Sequence, residues 1–192
     1  MAETVIQWPQ YTIQSFHSAI LSDPSGKDES VFYGPYTRLL YTLFSLDGPF
    51  EVMPQFKHAV LAGPQESIDL TTVLVVEVNR HPVFFIEVKP PASYPYDSKR
   101  EEADTQMRRR FRDLRQILII SRLCGVSTFG TRLAFYEYDK DTSTLTPEQI
   151  HPHGSLFTDV APANRWDCDI LQPDGAKMFN VMNLLRERRE RL

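Results

Sequence analysis

The sequence predicts an α/β domain with a mixed central β-sheet flanked by helices, and three observations carry that expectation. The stretch from Ser67 to Pro91, SIDLTTVLVVEVNRHPVFFIEVKPP, holds two apolar runs joined by Asn-Arg-His-Pro, the pattern of paired strands. Two segments repeat their apolar residues at helical spacing, one from Asp28 or Glu29 to Leu46 and one from Ser98 to Leu123. Residues 129–138 alternate well enough for a further strand. The expected order is therefore helix, strand, strand pair, long helix, strand, strand, helix.

Each element has a local reason. Residues 1–28 read as an extension with a short element around Ile13 to Leu21, closed by the turn-rich Ser22-Asp23-Pro24-Ser25-Gly26, and residues 29–192 as one domain. In the first periodic segment Val31, Phe32, Tyr36, Leu39, Leu40, Leu43 and Phe44 share a face, and Gly34-Pro35 must start, break or kink the helix. Phe50 to Phe56 reads as a strand and Ala62-Gly63-Pro64 as a loop. The proline-rich 90–95 excludes helix, so Asp97 or Ser98 is expected to cap the long one. Ala103, Met107, Phe111, Leu114, Ile117 and Leu118 give that helix an apolar face, Arg108, Arg112, Arg115 and Arg122 a basic one, and Gly125 an end. Asp139-Lys140-Asp141 reads as a turn, with residues 144–151 pairing back. A closing helix is expected from Gly175 or Ala176 onward.

Composition narrows the function classes. A chain of 192 residues, 42% hydrophobic and 24% charged, can bury a sizeable core. No apolar run reaches the roughly 20 residues that span a bilayer, and MAETVIQWPQ lacks the layout of a signal peptide, so an intracellular protein of cytoplasm or nucleus is expected, with no membrane partner. Two cysteines, Cys124 and Cys168, stand in no metal-binding spacing and make no disulfide framework. His151 and His153 lie in a Pro-Gly loop without a third ligand and read as plain loop residues. The net charge of -4 gives no global case for nucleic-acid binding, but residues 99–122 hold eight basic side chains against four acidic ones, enough for one basic helix face.

The charges that interrupt the apolar strands are the candidates for chemistry. Glu87 and Lys89 share strand parity, so both side chains leave one face about 6.6 Å apart along the strand. Burying them in VFFIEVK is costly unless they meet each other, a metal or a ligand. Asp69 enters the preceding run as a second carboxylate, and two carboxylates make an oxygen-rich site suited to magnesium. A divalent ion with a nearby lysine can activate water and offset charge on phosphate, which is what phosphodiester hydrolysis needs. With a turn at Asn79 to Pro82, Glu87 falls opposite Val73 or Val75, and a bulge or a bend at Thr71-Thr72 has to bring Asp69 closer. Glu77, near the turn, reads as a surface residue.

Asp69 followed by Glu87-Val88-Lys89, with an acidic helix start at Glu29 before them and a long helix after, resembles the PD-(D/E)XK nuclease superfamily over roughly Glu29 to Tyr138. Ile68 stands where the motif has proline. The resemblance implies a restriction-endonuclease-like fold in residues 29–192, Mg2+ or Mn2+ as cofactor, Asp69 and Glu87 as metal ligands, and Lys89 as the lysine that assists the attacking water. Some branches add a glutamate from the first helix and a glutamine from the helix after the motif, and Glu29 and Gln106 match those positions. The implied function is a metal-dependent nuclease, endo or exo, on DNA or RNA, with Gln106, Arg108, Arg112 and Arg115 toward the nucleic acid and a homodimer compatible with it.

Plainer readings stand beside these. Glu87 with Lys89 can be a strand-end salt bridge, Asp69 a strand-entry residue, Glu29 a helix-start charge favoured by the dipole, and the arginine face a solvated one. Cys124 reads as core. The alternative from another functional class is a non-catalytic module of the same fold that binds a protein or nucleic-acid partner.

Overall fold

The computed structural model describes residues 8–54, 73–154, 158–175 and 177–178. Among these, helix α1 (Gln10–Ser22) precedes a 3-10 turn (Glu29–Phe32) that runs into α2 (Tyr33–Leu43). Strands β1 (Phe50–Pro54), β2 (Val73–Val78) and β3 (His81–Lys89) follow, then α3 (Asp97–Leu114), β4 (Arg122–Phe129), β5 (Arg132–Asp139), β6 (Thr144–Thr146) and β7 (Cys168–Asp169). The sheet is mixed and seven-stranded, ordered β1-β2-β3-β4-β5-β6, with β7 also on β5. Every pairing is antiparallel except β3 with β4, which α3 connects in parallel. Residues 55 and 56 of the first expected strand, the loop at 62–64, the bend at 71–72 and nearly all of the closing helix lie outside the described residues.

Strand parity sorts the side chains into two cores, one per sheet face. Leu74, Val76, Phe84, Ile86 and Val88 pack against α1 and α2 through Phe16, Tyr36, Leu39 and Leu40. Val73, Val75 and Phe85 point the other way, to Ala103, Met107, Phe111 and Leu114 of α3. Covering both faces explains why β3 reads as a continuous apolar run rather than an alternating one. Gly34-Pro35 falls in the first turn of α2, where a missing N–H costs nothing. Asp28 caps the turn before it by accepting from the Ser30 amide at 2.8 Å. No helix among the described residues is long and apolar enough to cross a membrane.

Three local expectations are corrected. The hairpin turn is two residues, Asn79 and Arg80, both with positive φ (51° and 66°), as a tight turn matching strand twist requires. His81 and Pro82 therefore belong to β3, and a register shift between Val76 and Glu77 absorbs the proline. Glu77 is not a surface residue but 6% exposed, because β1 covers β2 and sets Glu51 opposite it. Helix α3 begins at Asp97, as expected, but with no side-chain cap, Asp97 bonding Arg100 instead.

The largest correction concerns the end of α3. The helix stops at Leu114, a 3-10 turn covers Arg115–Ile117, and Gly125 lies inside β4 rather than at a helix C-cap. Arg122 accordingly leaves the helix face and pairs with Glu137 at 3.2 Å and Asp139 at 3.1 Å on β5. Glycine is needed at 125 because a Cβ there would stand 2.5 Å from Cζ of Phe85 and 3.0 Å from Cζ of Phe111. Those rings meet edge to face, with centroids 4.8 Å apart, and pin α3 to β3. Gly125→Ala is expected to overpack this junction and cost about 1–3 kcal/mol, read as a lower urea midpoint with an unchanged slope. A midpoint equal to wild type would mean the rings move aside freely.

Candidate functional site

Glu87 and Lys89 end β3 on its α3 face, beside the parallel neighbour β4, where Glu87 registers with Ser127 and Lys89 with Phe129. The carboxyl ends of adjacent parallel strands are where α/β sheets commonly place ligands. Pro90 and Pro91 follow at once, and with no N–H to donate they stop the ladder at the lysine. The Gly130 amide donates to the Lys89 carbonyl at 3.1 Å, and the Tyr36 hydroxyl donates to the Gly130 carbonyl at 2.6 Å. Helix α2 is thereby tied to the strand end that carries the lysine.

Antiparallel pairing puts Glu87 opposite Val73, one of the two positions expected. Asp69 lies outside the described residues. Glu29 sits in the 3-10 turn before α2, accepts from the Tyr33 hydroxyl at 2.8 Å, and is near enough for its charge to act on Glu87. Gln106 of α3 accepts a hydrogen bond from Lys89 Nζ and lies 3.5 Å from Glu102 through its own amide. The structure thus brings Glu87, Lys89 and Gln106 together, with Glu29 near enough for its charge to be felt at Glu87.

The Glu87 carboxylate is fully buried. Lys89 Nζ approaches its Oε1 at 3.2 Å, an ion pair by distance, yet neither Glu87 oxygen accepts a well-directed hydrogen bond among the described residues. Burial pushes the Glu87 carboxyl above the usual carboxylate range, Lys89 and Arg110 pull it back, and the negative charge of Glu29 adds to the rise. Buried carboxylate oxygens without hydrogen bonds are uncommon in native proteins, and such groups often mark a catalytic role or the seat of an ion. Oxygen donors at Glu87 and Glu29 suit a hard divalent cation, although no group of three metal-ligating side chains occurs among the described residues.

The expected arginine face divides. Arg112 and Arg115 are exposed and outward. Arg108 is turned inward and held by Asp104, through Nε at 2.8 Å, and by the Pro147 carbonyl at 2.9 Å. Asp104 is 5% exposed and also accepts from the Tyr136 hydroxyl at 2.8 Å and from Arg165. Sequence reading passed over Arg110, whose charge acts on Glu87, and Asp104, which anchors the helix. Arg110 follows Gln106 by four residues and so shares its stripe on α3, the one signal that pointed to it. His151 and His153 are exposed, and Cys124 and Cys168 are buried. Comparison with family models, curated proteins and solved structures returned no match.

Proposed function

We propose that the chain is a metal-dependent nuclease of the PD-(D/E)XK kind, hydrolysing phosphodiester bonds. One observation carries the reading: Glu87 is completely buried with both oxygens lacking hydrogen bonds among the described residues, beside Lys89, Gln106, Arg110 and Glu29. The element order supports it too, with an acidic turn entering a helix, the Glu87-Val88-Lys89 strand, and then a long helix that delivers a glutamine to the lysine. Glu87 and Glu29 would hold Mg2+ or Mn2+, joined by Asp69 if the segment before β2 brings it there. When bound, the cation makes water more acidic and offsets charge on the phosphate.

The chain's own residues have separable tasks. Glu87, at the end of β3, would hold the cation. Lys89, steered by Gln106, orients the attacking water and sets its ammonium against developing phosphate charge. Arg112, exposed on α3, and Arg115, exposed in the 3-10 turn after it, add positive charge that attracts a polyanion to the α3 side of the sheet.

A second reading is a non-catalytic module of this fold that binds a protein or nucleic-acid partner. It draws on the approach of Lys89 to Glu87 at 3.2 Å, an ion pair that can offset the buried charge without a cation. Cleavage of labelled DNA and RNA with Mg2+ or Mn2+ separates the two. Wild type is expected to cut, EDTA to abolish cutting, and Lys89→Ala to slow it by about 100-fold or more in a protein that still melts cooperatively. No cleavage of either nucleic acid by wild type, with no manganese uptake, would leave the binding module.

A further inference from the structure

Arg110 has no role in the fold that its surroundings explain. Its Nε is buried and has no hydrogen-bond partner among the described residues. Its charge acts on Glu87, yet the two are not in ion-pair contact, and the carboxylate oxygens are equally without hydrogen bonds. Structural arginines in this protein look different: Arg100, on the same helix, is 4% exposed and bonded to the Ala161 and Tyr94 carbonyls, Asp97 and Asp159. A guanidinium Nε and a carboxylate that both lack hydrogen bonds among the described residues, and that feel each other's charge without pairing, are suited to a bound group that is anionic toward one and cationic toward the other.

We propose that Arg110 is a phosphate anchor of this site, its guanidinium donating to a non-bridging oxygen of the phosphodiester that Glu87 and Lys89 address. The inference rests on the nuclease reading and deepens it. Charge balance agrees: Glu29 and Glu87 against Lys89 and Arg110 sum to zero, so a divalent cation joining the carboxylates strengthens the attraction for phosphate. Chemistry agrees as well, because a planar fork matches phosphate oxygens in a way an ammonium cannot. Position on a packed helix, four residues beyond Gln106, gives Arg110 the rigidity that a loop arginine would lack.

The test is equilibrium binding of a fluorescein-labelled oligonucleotide, read by anisotropy with Ca2+ and separately with EDTA, for wild type, Arg110→Ala and Arg110→Lys. Calcium supplies the charge of the cation so that affinity is read apart from turnover. Arg110→Ala is expected to weaken calcium-dependent binding by about tenfold or more, and to reduce the slope of log affinity against log salt by about 1. Arg110→Lys should retain the salt slope but not the full affinity. A folded Arg110→Ala protein whose affinity and slope equal those of wild type overturns the anchor, and if it also cleaves normally the nuclease reading survives alone. Wild type that neither cleaves nor takes up manganese, yet loses oligonucleotide binding on Arg110→Ala, overturns the nuclease and leaves the anchor. Wild type that binds no oligonucleotide under either condition overturns both.

Discussion

Glu87→Gln is expected to abolish cleavage and, in the same protein, to raise the stability of the metal-free fold. The two effects have one cause. Glu87 is fully buried and neither oxygen accepts a hydrogen bond among the described residues, so its ionised form is a cost to the fold that Lys89 and Arg110 offset in part and a bound cation would offset further. The amide is isosteric and uncharged, and removing the charge should add about 1–2 kcal/mol, a rise of roughly 2–8 °C in melting temperature for a chain of this size. On the proposed nuclease reading, cleavage should fall by at least about 1000-fold, because the ligand it assigns to the cation is gone.

The pH dependence has a definite sign. Burial displaces the folded-state pKa of Glu87 upward, so its contribution to stability is fully present below the ordinary carboxylate range and is lost as pH rises through the displaced value. In EDTA, the advantage of Glu87→Gln over wild type should therefore grow as pH rises through that window and vanish in acid. Adding Mg2+ should then stabilise wild type and leave the variant unmoved. Calorimetric scans across pH, with and without metal, check all three. A variant less stable than wild type in EDTA at neutral pH would show that Lys89 alone satisfies the carboxylate.

The second large effect is structural. Asp104→Ala removes the one carboxylate that collects Arg108, Arg165 and Tyr136, leaving two inward guanidinium groups and a phenol without their acceptor. Burial, followed by the charge of Asp104, pushes the Tyr136 hydroxyl far up, so it stays a donor at any physiological pH. Breaking such a network from one side typically costs about 3–5 kcal/mol, a large share of a total near 5–15 kcal/mol. Urea titration should find the midpoint sharply lowered, whereas Tyr136→Phe should cost only about 1 kcal/mol. Equal losses in the two variants would mean that the arginines find other partners.

Much of the frame could be read from residues alone, since paired strands, strand parity at Glu87 and Lys89, and the apolar stripe of α3 are all periodic signals. Periodicity misled where it is ambiguous. Residues 117–124 are apolar enough to continue a helix or begin a strand, and Gly125 looks like a helix end until the rings of Phe85 and Phe111 claim the space beside it. Glu77 escaped for a related reason, because nothing near it says that β1 lies across β2. Gln106 was legible through the resemblance, while the isolation of Arg110 is a property of burial that no spacing encodes.

Asp104 has a further consequence for how the protein can change over time. Gln106 meets Lys89 at the end of β3, and Arg110 keeps its place one turn further on, only while α3 keeps its rotation, and each residue turns a helix by about 100°. The clamp at Asp104, two positions before Gln106, works as an index mark for that rotation. Substitutions at the outward Glu101, Thr105 or Arg112 leave the mark untouched, whereas a single inserted residue between Asp104 and Gln106 would swing both side chains away with the fold still intact. Point changes on this helix can tune the protein, while a change of length would disconnect it from its own site.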